Sequence, residues 1–294
     1  MAAIYFTPGP SALYPTVSQH LQTALELQIG SISHRSGDYK AFHQQAVENL
    51  RELLGVPSSH GICFFASATE IWERLLQNCI STSSFHFTNG VFSHRFYEIA
   101  QLLQKPCMKK EAIAGTGFTF EANEIPEEVE MLHFTHNESS TGVMQPLETI
   151  YQYAAAFPNA LLSLDIVSSA PFPVIDYEKI HAVYFSVQKG MGLPAGLGVL
   201  IAHPKILAKA EALEKSGTSI GSYHRFTDVW KKAAVFQTPE TPNILNIFLL
   251  SKVTQDMLQK GVDIIRKETL EKVALLAEVV AETEHFNWLV KDET

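Results

Sequence analysis

The sequence predicts an α/β fold, a mainly parallel sheet between helices followed by a smaller α+β C-terminal piece, and three observations predict it. Short apolar runs alternate with helical stretches through most of the chain. The runs are uninterrupted rather than half polar, as in strands covered on both faces. From Asn243 to about Glu284 the pattern becomes helical, broken only at Gly261.

The elements follow in order. The opening YFTPGPSALYP is rich in proline and glycine and reads as an extended arm, with a helix expected over 16–28. A second helix is expected over about 39–54, stopped by Gly55 and the proline that follows. The run GICFFA at 61–66 leads through SATE into a helix to about 80, and FHFTNG at 85–90 leads into another to about 104. Further strands are expected at MLHFTH (131–136), ALLSLDIV (160–167) and AVYFSV (182–187), with a helix near 147–157. The short glycine and proline loop between AVYFSVQKG and AGLGVLIAH points to neighbouring strands joined by a turn, hence one antiparallel member. HFNWLV, after the last helix, reads as one more strand. The expected division is an arm at 1–15, a large domain at 16–245 and the start of a smaller domain at 246–294. No internal repeat or low-complexity tract interrupts it.

Composition narrows the function classes. A formal net charge of -9 supplies no basic excess for nucleic acid or anionic membranes, so any anion must be held locally. Hydrophobic residues at 46% and charged residues at 18% describe a globular chain with a sizeable core. Three cysteines, Cys63, Cys79 and Cys107, lack the spacing of a disulfide framework or a zinc site and read as reduced thiols. Twelve histidines without HExxH or a Cys/His cluster do not predict a metal. Residues 1 to 30 carry no basic segment followed by an apolar run, and no stretch approaches the roughly 20 residues that span a bilayer, so the cytoplasm is the expected compartment.

In such sheets ligands bind beyond the carboxyl ends of the strands, which directs attention to the turns. Ser67-Ala68-Thr69-Glu70 opens a helix whose free amides could receive a phosphate, or could be an ordinary N-cap with a first-turn glutamate. Asp165 interrupts an apolar run, where a carboxylate needs a cationic or hydrogen-bonded partner, structural or otherwise. Gln188 and Lys189 end the next run before a glycine-rich turn, and a lysine beside buried strand loses its proton more readily than one in solvent. An imine-forming lysine, an acid to face a pyridine nitrogen and an anion site are the three things pyridoxal phosphate requires.

The resemblance lies in TPGPSALYP, SHRSGDY at 33–39, THNESSTGV at 135–143, LDIVSSAP at 164–171, SVQKGMGLPAGLGVL at 186–200 and FQTPETPN at 236–243. In that order, over nearly the whole chain, they resemble the class V aminotransferases of fold-type I, and within them phosphoserine aminotransferase and its relatives. The resemblance implies pyridoxal 5'-phosphate as cofactor, amino acid and 2-oxo acid substrates, and a homodimer with a shared active site. It makes Lys189 the lysine that carries the cofactor as an imine, Asp165 the partner of the pyridinium nitrogen, and Ser139 the hydroxyl near the phenolic oxygen. Phosphate contacts are implied for Ala68 and Thr69, chiefly through amides, with Gln188 alongside and Gln237 and Thr238 reaching the neighbouring subunit. Phe92 takes the stacking position that is often tryptophan in the family, and His34 and Arg35 are the implied substrate contacts.

The family also places a carboxylate-binding arginine in its C-terminal domain, beyond what this sequence is expected to include. An alanine-glyoxylate or serine-pyruvate type aminotransferase shares the lysine and aspartate logic and is the alternative enzyme. A cofactor-binding relative without turnover is the alternative from another class. Glu138 and His136 carry no assigned chemistry and are expected to pack or to support their neighbours.

Overall fold

The computed structural model describes residues 7–291, so the first six residues of the expected arm and the last three of the chain lie outside the described residues. A seven-stranded sheet organises the molecule. Its strands are β1 (Gly61–Phe65), β2 (Ser84–Thr88), β3 (Cys107–Glu111), β4 (Met131–Thr135), β7 (Leu161–Asp165), β8 (Ala182–Ser186) and β9 (Gly198–Ala202), in the spatial order β1-β9-β8-β7-β4-β2-β3. A two-stranded hairpin, β5 (Asn137–Glu138) with β6 (Val143–Met144), projects from the end of β4. The pairs β2·β3, β2·β4, β4·β7 and β7·β8 are parallel, whereas β9 runs antiparallel to both β1 and β8. The one antiparallel member expected from the short turn is therefore present.

The helices are α1 (Val17–Glu26), α2 (Gly37–Leu54), α3 (Ala68–Cys79), α4 (Val91–Leu102), α5 (Leu147–Ala156), α6 (Pro204–Lys215), α7 (Phe226–Ala233), α8 (Ile244–Lys260) and α9 (Val262–Glu282). Two apolar clusters cover the two faces of the sheet. One gathers α2 and α8 over Phe64, Leu162, Leu164, Val183 and Phe185; the other gathers α3 and α6 over Phe65, Tyr184 and Leu200. Successive strand residues point to opposite faces, so Phe64 and Phe65 end in different clusters. Helix α2 ends as its sequence dictates, with Gly55 in the left-handed region at φ 67°. Helix α8 is sunk in the core, and Phe42 meets Phe248 edge-on at 5.7 Å. Helix α9 buries no residue.

Two differences from the expected elements are physical. HFNWLV is not a strand: the chain there is turn and bend, Phe286 and Trp288 are exposed, and the backbone meets a neighbouring loop where Lys291 N–H donates to the Gly115 carbonyl at 3.0 Å. Alternation without a ladder partner does not make a strand. Conversely β3, CMKKE, has no apolar run to betray it, because it is an edge strand whose half-buried lysines are tied to glutamates in ion pairs. Helices α6 and α7, also unforeseen, fill the connection between β9 and α8.

The arm closes the carboxyl end of the sheet. Ser11 N–H donates to the Gln188 carbonyl at 2.8 Å, its hydroxyl to the Lys189 carbonyl at 2.7 Å, and Tyr14 N–H to the Gly192 carbonyl at 2.7 Å. Two glycines permit this approach. A Cβ on Gly9 would sit 2.7 Å from Lys189 Cε, and one on Gly192, itself at φ 63°, would sit 2.7 Å from the Tyr14 nitrogen. Within its described residues, TPGPSALYP is thus a strap over the loop that bears Lys189.

Candidate active site

Five strands that run in one direction deliver their following residues to one cleft. After β1 comes the start of α3 with Ala68, Thr69 and Trp72; after β2 the start of α4 with Phe92; after β4 the hairpin with Asn137 and Ser139; after β7 Val167 and Ser168; after β8 Gln188 and Lys189. The cleft, open to solvent on one side, offers about 440 Å³ of empty space, and Asp165 forms part of its wall. This is the carboxyl-end crevice that a doubly wound sheet offers to ligands.

Lys189 projects into it, half-buried. Its Nζ donates to Ser139 Oγ at 2.7 Å and lies 4.7 Å from the centre of the Phe92 ring. Burial lowers its pKa from the ordinary lysine value, against the opposing pull of Asp165 and Glu138. Asp165 is buried, with Oδ1 accepting from Val167 N–H at 2.8 Å and Oδ2 from the Trp72 indole at 3.2 Å. Burial pushes its carboxyl up to about 7, although those two hydrogen bonds and the charge of Lys189 favour the ionised form. Among the described residues no cation pairs directly with it. A carboxylate so placed is short of a positive partner.

The start of α3 is N-capped by Ser67, whose hydroxyl accepts from Glu70 N–H at 3.1 Å. Ala68 N–H donates to Ser186 Oγ at 2.7 Å, so that amide is engaged and the Ser186 hydroxyl proton is directed elsewhere. Among the described residues nothing accepts from the Thr69 amide. An open amide on the first turn of a helix is a seat for an anion.

Glu138, for which the sequence offered no chemistry, is fully buried and ties the hairpin to α4. Its Oε2 accepts from Ser93 N–H at 2.9 Å and its Oε1 from the Ser140 hydroxyl at 2.7 Å. A carboxylate on the first turn of α4 stabilises that helix start and fixes Ser139 relative to Phe92. His136 hydrogen-bonds Ser169 Oγ through Nδ1 at 2.8 Å, and burial lowers its pKa to about 4, so it stays a neutral support. Trp72 went unnoticed in the sequence, although it follows Thr69 by three positions and so shares its helix face. Asn137, whose amide donates to Ser168 Oγ at 2.9 Å, was missed as well; its signal was only adjacency to the THNESS motif.

The remaining expected residues form a second patch outside this cleft. Arg35 donates to Gln237 Oε1 at 3.2 Å, to the Thr238 carbonyl at 2.8 Å and to the Pro239 carbonyl at 3.1 Å. His34 Nδ1 lies 3.3 Å from Thr241 Oγ1. The fold thus brings Lys189, Asp165, Ser139, Phe92, Ala68, Thr69 and Gln188 together, and separately gathers His34, Arg35, Gln237 and Thr238.

Comparison with known proteins agrees with this fold. The aminotransferase class-V family profile matches residues 119–294. A crystal structure described as a phosphoserine aminotransferase from Cytophaga hutchinsonii superimposes with a TM-score of 0.96 at 50% identity, covering 99% of this chain and 80% of that one. A putative phosphoserine aminotransferase of Mycobacterium avium is 27% identical over 291 residues, 98% of this chain and 76% of the relative. A serine--glyoxylate aminotransferase of Methylorubrum extorquens is 28% identical over 272 residues, 88% of this chain and 66% of the relative.

Proposed function

Because the chain belongs to the class-V aminotransferases, we propose that it transfers an amino group from phosphoserine to a 2-oxo acid of the 2-oxoglutarate type. Amino acids and 2-oxo acids are the substrates of this family, and pyridoxal 5'-phosphate is its cofactor. The observation that carries the reading is the pairing, in one cleft, of a half-buried lysine amine with a buried aspartate that has no cation of its own. The donor set fits the cofactor. Asp165 lacks the positive charge that a protonated ring nitrogen brings, and the Thr69 amide lacks the acceptor that a phosphate brings.

When bound, the cofactor supplies an aldehyde for covalent attachment and a ring that withdraws electrons from the substrate carbon. The protein's own residues do the rest. Lys189 would be the attachment point and the base that moves a proton within the cleft, and burial lowers its pKa from the ordinary lysine value. Asp165 would face the ring nitrogen and favour its protonated form, and the Trp72 and Val167 donors keep its carboxylate aimed. Ser139 orients the lysine amine. Phe92 offers a face for stacking, which retains the aromatic contact although not the indole. Thr69, Ala68 by way of Ser186, and Gln188 would hold the phosphate end.

His34, Arg35, Gln237 and Thr238 are assigned to the site of a second subunit, Gln237 and Thr238 at its cofactor phosphate and Arg35 and His34 at the substrate phosphate. The clustering of these four residues away from their own lysine supports a homodimer with shared sites. The exposed guanidinium of Arg35 meets only an amide oxygen and carbonyls, leaving its charge for an anion. Of the proposed division into arm (1–15), large domain (16–245) and smaller C-terminal piece (246–294), the break at Gly261 and the exposed α9 support a separate last piece, whereas α8 packs into the core of the large domain. No helix among the described residues is long and apolar enough to cross a membrane, and the cytoplasm is the proposed compartment.

The test is a set of half-reactions on the cofactor-loaded chain, with phosphoserine, glutamate, alanine and serine, followed by the loss of the bound cofactor's visible absorbance. Phosphoserine and glutamate are expected to discharge it fastest. Indifference to both, with a rapid response to alanine or serine, would move the assignment to the alanine-glyoxylate or serine-glyoxylate type represented by the Methylorubrum relative. A coloured protein inert to all four donors would favour cofactor binding without turnover.

A further inference from the structure

His224 lies just outside the Lys189 cleft, yet both of its ring nitrogens are committed to carboxylates. Nδ1 is 2.5 Å from Glu70 Oε1 and Nε2 is 2.6 Å from Glu240 Oε2. The ring is buried and fixed, with Tyr223 stacked on it at 3.9 Å and Phe65 meeting it edge-on at 5.2 Å. A neutral imidazole has one N–H and can satisfy only one of these acceptors, so the arrangement requires the doubly protonated ring. Burial alone would lower its pKa, but the hydrogen bonds to Glu240 and Glu70 outweigh it and raise the value to about 9.

The two carboxylates come from the two segments assigned to phosphate recognition. Glu70 is on the first turn of α3, beside Thr69, and its other oxygen accepts from Ala66 N–H at 2.8 Å, which turns the carboxylate back from the helix axis. Glu240 belongs to the segment of Gln237 and Thr238, and the Thr238 hydroxyl donates to the Glu240 carbonyl at 2.8 Å. A bare carboxylate next to the open Thr69 amide would repel an incoming phosphate and cancel the favourable end of the helix. Arg74 cannot replace the imidazole, because it is engaged with Glu73 and, through Nη1, with the Tyr223 carbonyl at 2.7 Å.

We propose that His224 is a positioning residue for the cofactor's phosphate end: bridging Glu70 to Glu240, it compensates the carboxylate nearest the phosphate seat and fastens the Gln237–Thr238 segment to the start of α3. This rests on the assignment of that helix start as the phosphate seat, and the experiment separates the two claims. The full chain, freed of cofactor, is titrated with pyridoxal phosphate and with pyridoxal, the same aldehyde without its phosphate, and visible absorbance reports binding. The His224→Asn variant is expected to bind pyridoxal phosphate at least about tenfold more weakly, while its affinity for pyridoxal stays within about twofold of wild type. Adding Glu70→Gln removes the uncompensated charge, so the double variant is expected to recover pyridoxal phosphate affinity to within about threefold of wild type.

Equal weakening for both aldehydes, unchanged affinity for pyridoxal phosphate, or a double variant weaker than the single would overturn the proposal. If the single variant does not fold, the double variant alone decides, since loss of packing would not be restored by a second substitution. Wild-type protein that holds the two aldehydes equally well would instead overturn the phosphate seat itself.

Discussion

In the Lys189 cleft the assigned residues follow directly on strands or open helices, and the chemically central ones are held by neighbours. The Lys189 amine rests on Ser139, Asp165 on Trp72 and Val167, and the hairpin on α4 through Glu138. In the Arg35 patch, by contrast, the side chains stand on loops, and Arg35 and His34 are in contact with solvent. The difference teaches where rigidity is needed. Chemistry at a carbon next to a ring requires atoms fixed in advance by packed elements, and the parallel sheet supplies them. Recognition of a distant anion tolerates a fork on a surface loop, above all one that a second subunit would complete.

That contrast can be broken in either region. The largest effect belongs to Lys189→Ala, which should abolish covalent cofactor attachment and amino transfer together, because among the described residues no other amine lines the cleft. Asp165→Ala should keep the attachment but slow transfer on the order of 10³-fold, since an uncharged ring withdraws electrons poorly. Stopped-flow half-reactions measure both, and retained rates in either variant would detach the chemistry from this cleft.

Arg35→Ala sharpens the other side of the comparison. It should raise the KM for phosphoserine by about 10- to 100-fold with little change for alanine, the loss of one charge-assisted fork. An equal effect on both donors would make Arg35 a structural tie to the 237–239 carbonyls rather than an anion contact.

The smallest effect concerns stability without cofactor. Burial raises the Asp165 carboxyl to about 7, so the folded chain binds that proton more tightly than the unfolded one. Stability contributed by this group is therefore lost as pH rises from the ordinary carboxylate value through 7, and the full cost applies above it. In cofactor-free protein at pH 8, Asp165→Asn should raise stability by about 1–3 kcal/mol, one of the two accepted hydrogen bonds being lost, while weakening pyridoxal phosphate binding. A destabilised Asn variant would mean that Asp165 already has a cationic partner.

Much of this was readable in the chain. The central strands could be found because burial on both faces removes polar residues from GICFF, LLSLD and AVYFS, and the same purity exposes Asp165 as an intrusion. Lys189 was visible for the matching reason, a charge at the end of such a run. What stayed hidden depends on contacts distant in sequence. Trp72 bonds Asp165 across 93 positions and Glu138 reaches Ser93 across 45, and neither pairing leaves a local pattern. HFNWLV misled because its alternation is that of a strand while its neighbours offer no ladder.

The most direct measurement of the central claim is reductive trapping. The cofactor-loaded chain is treated with borohydride, digested, and its peptides are weighed. The account predicts one pyridoxyl adduct, on the peptide containing Lys189, appearing in proportion to bound colour. An adduct on another lysine, or none in a coloured protein, would contradict it.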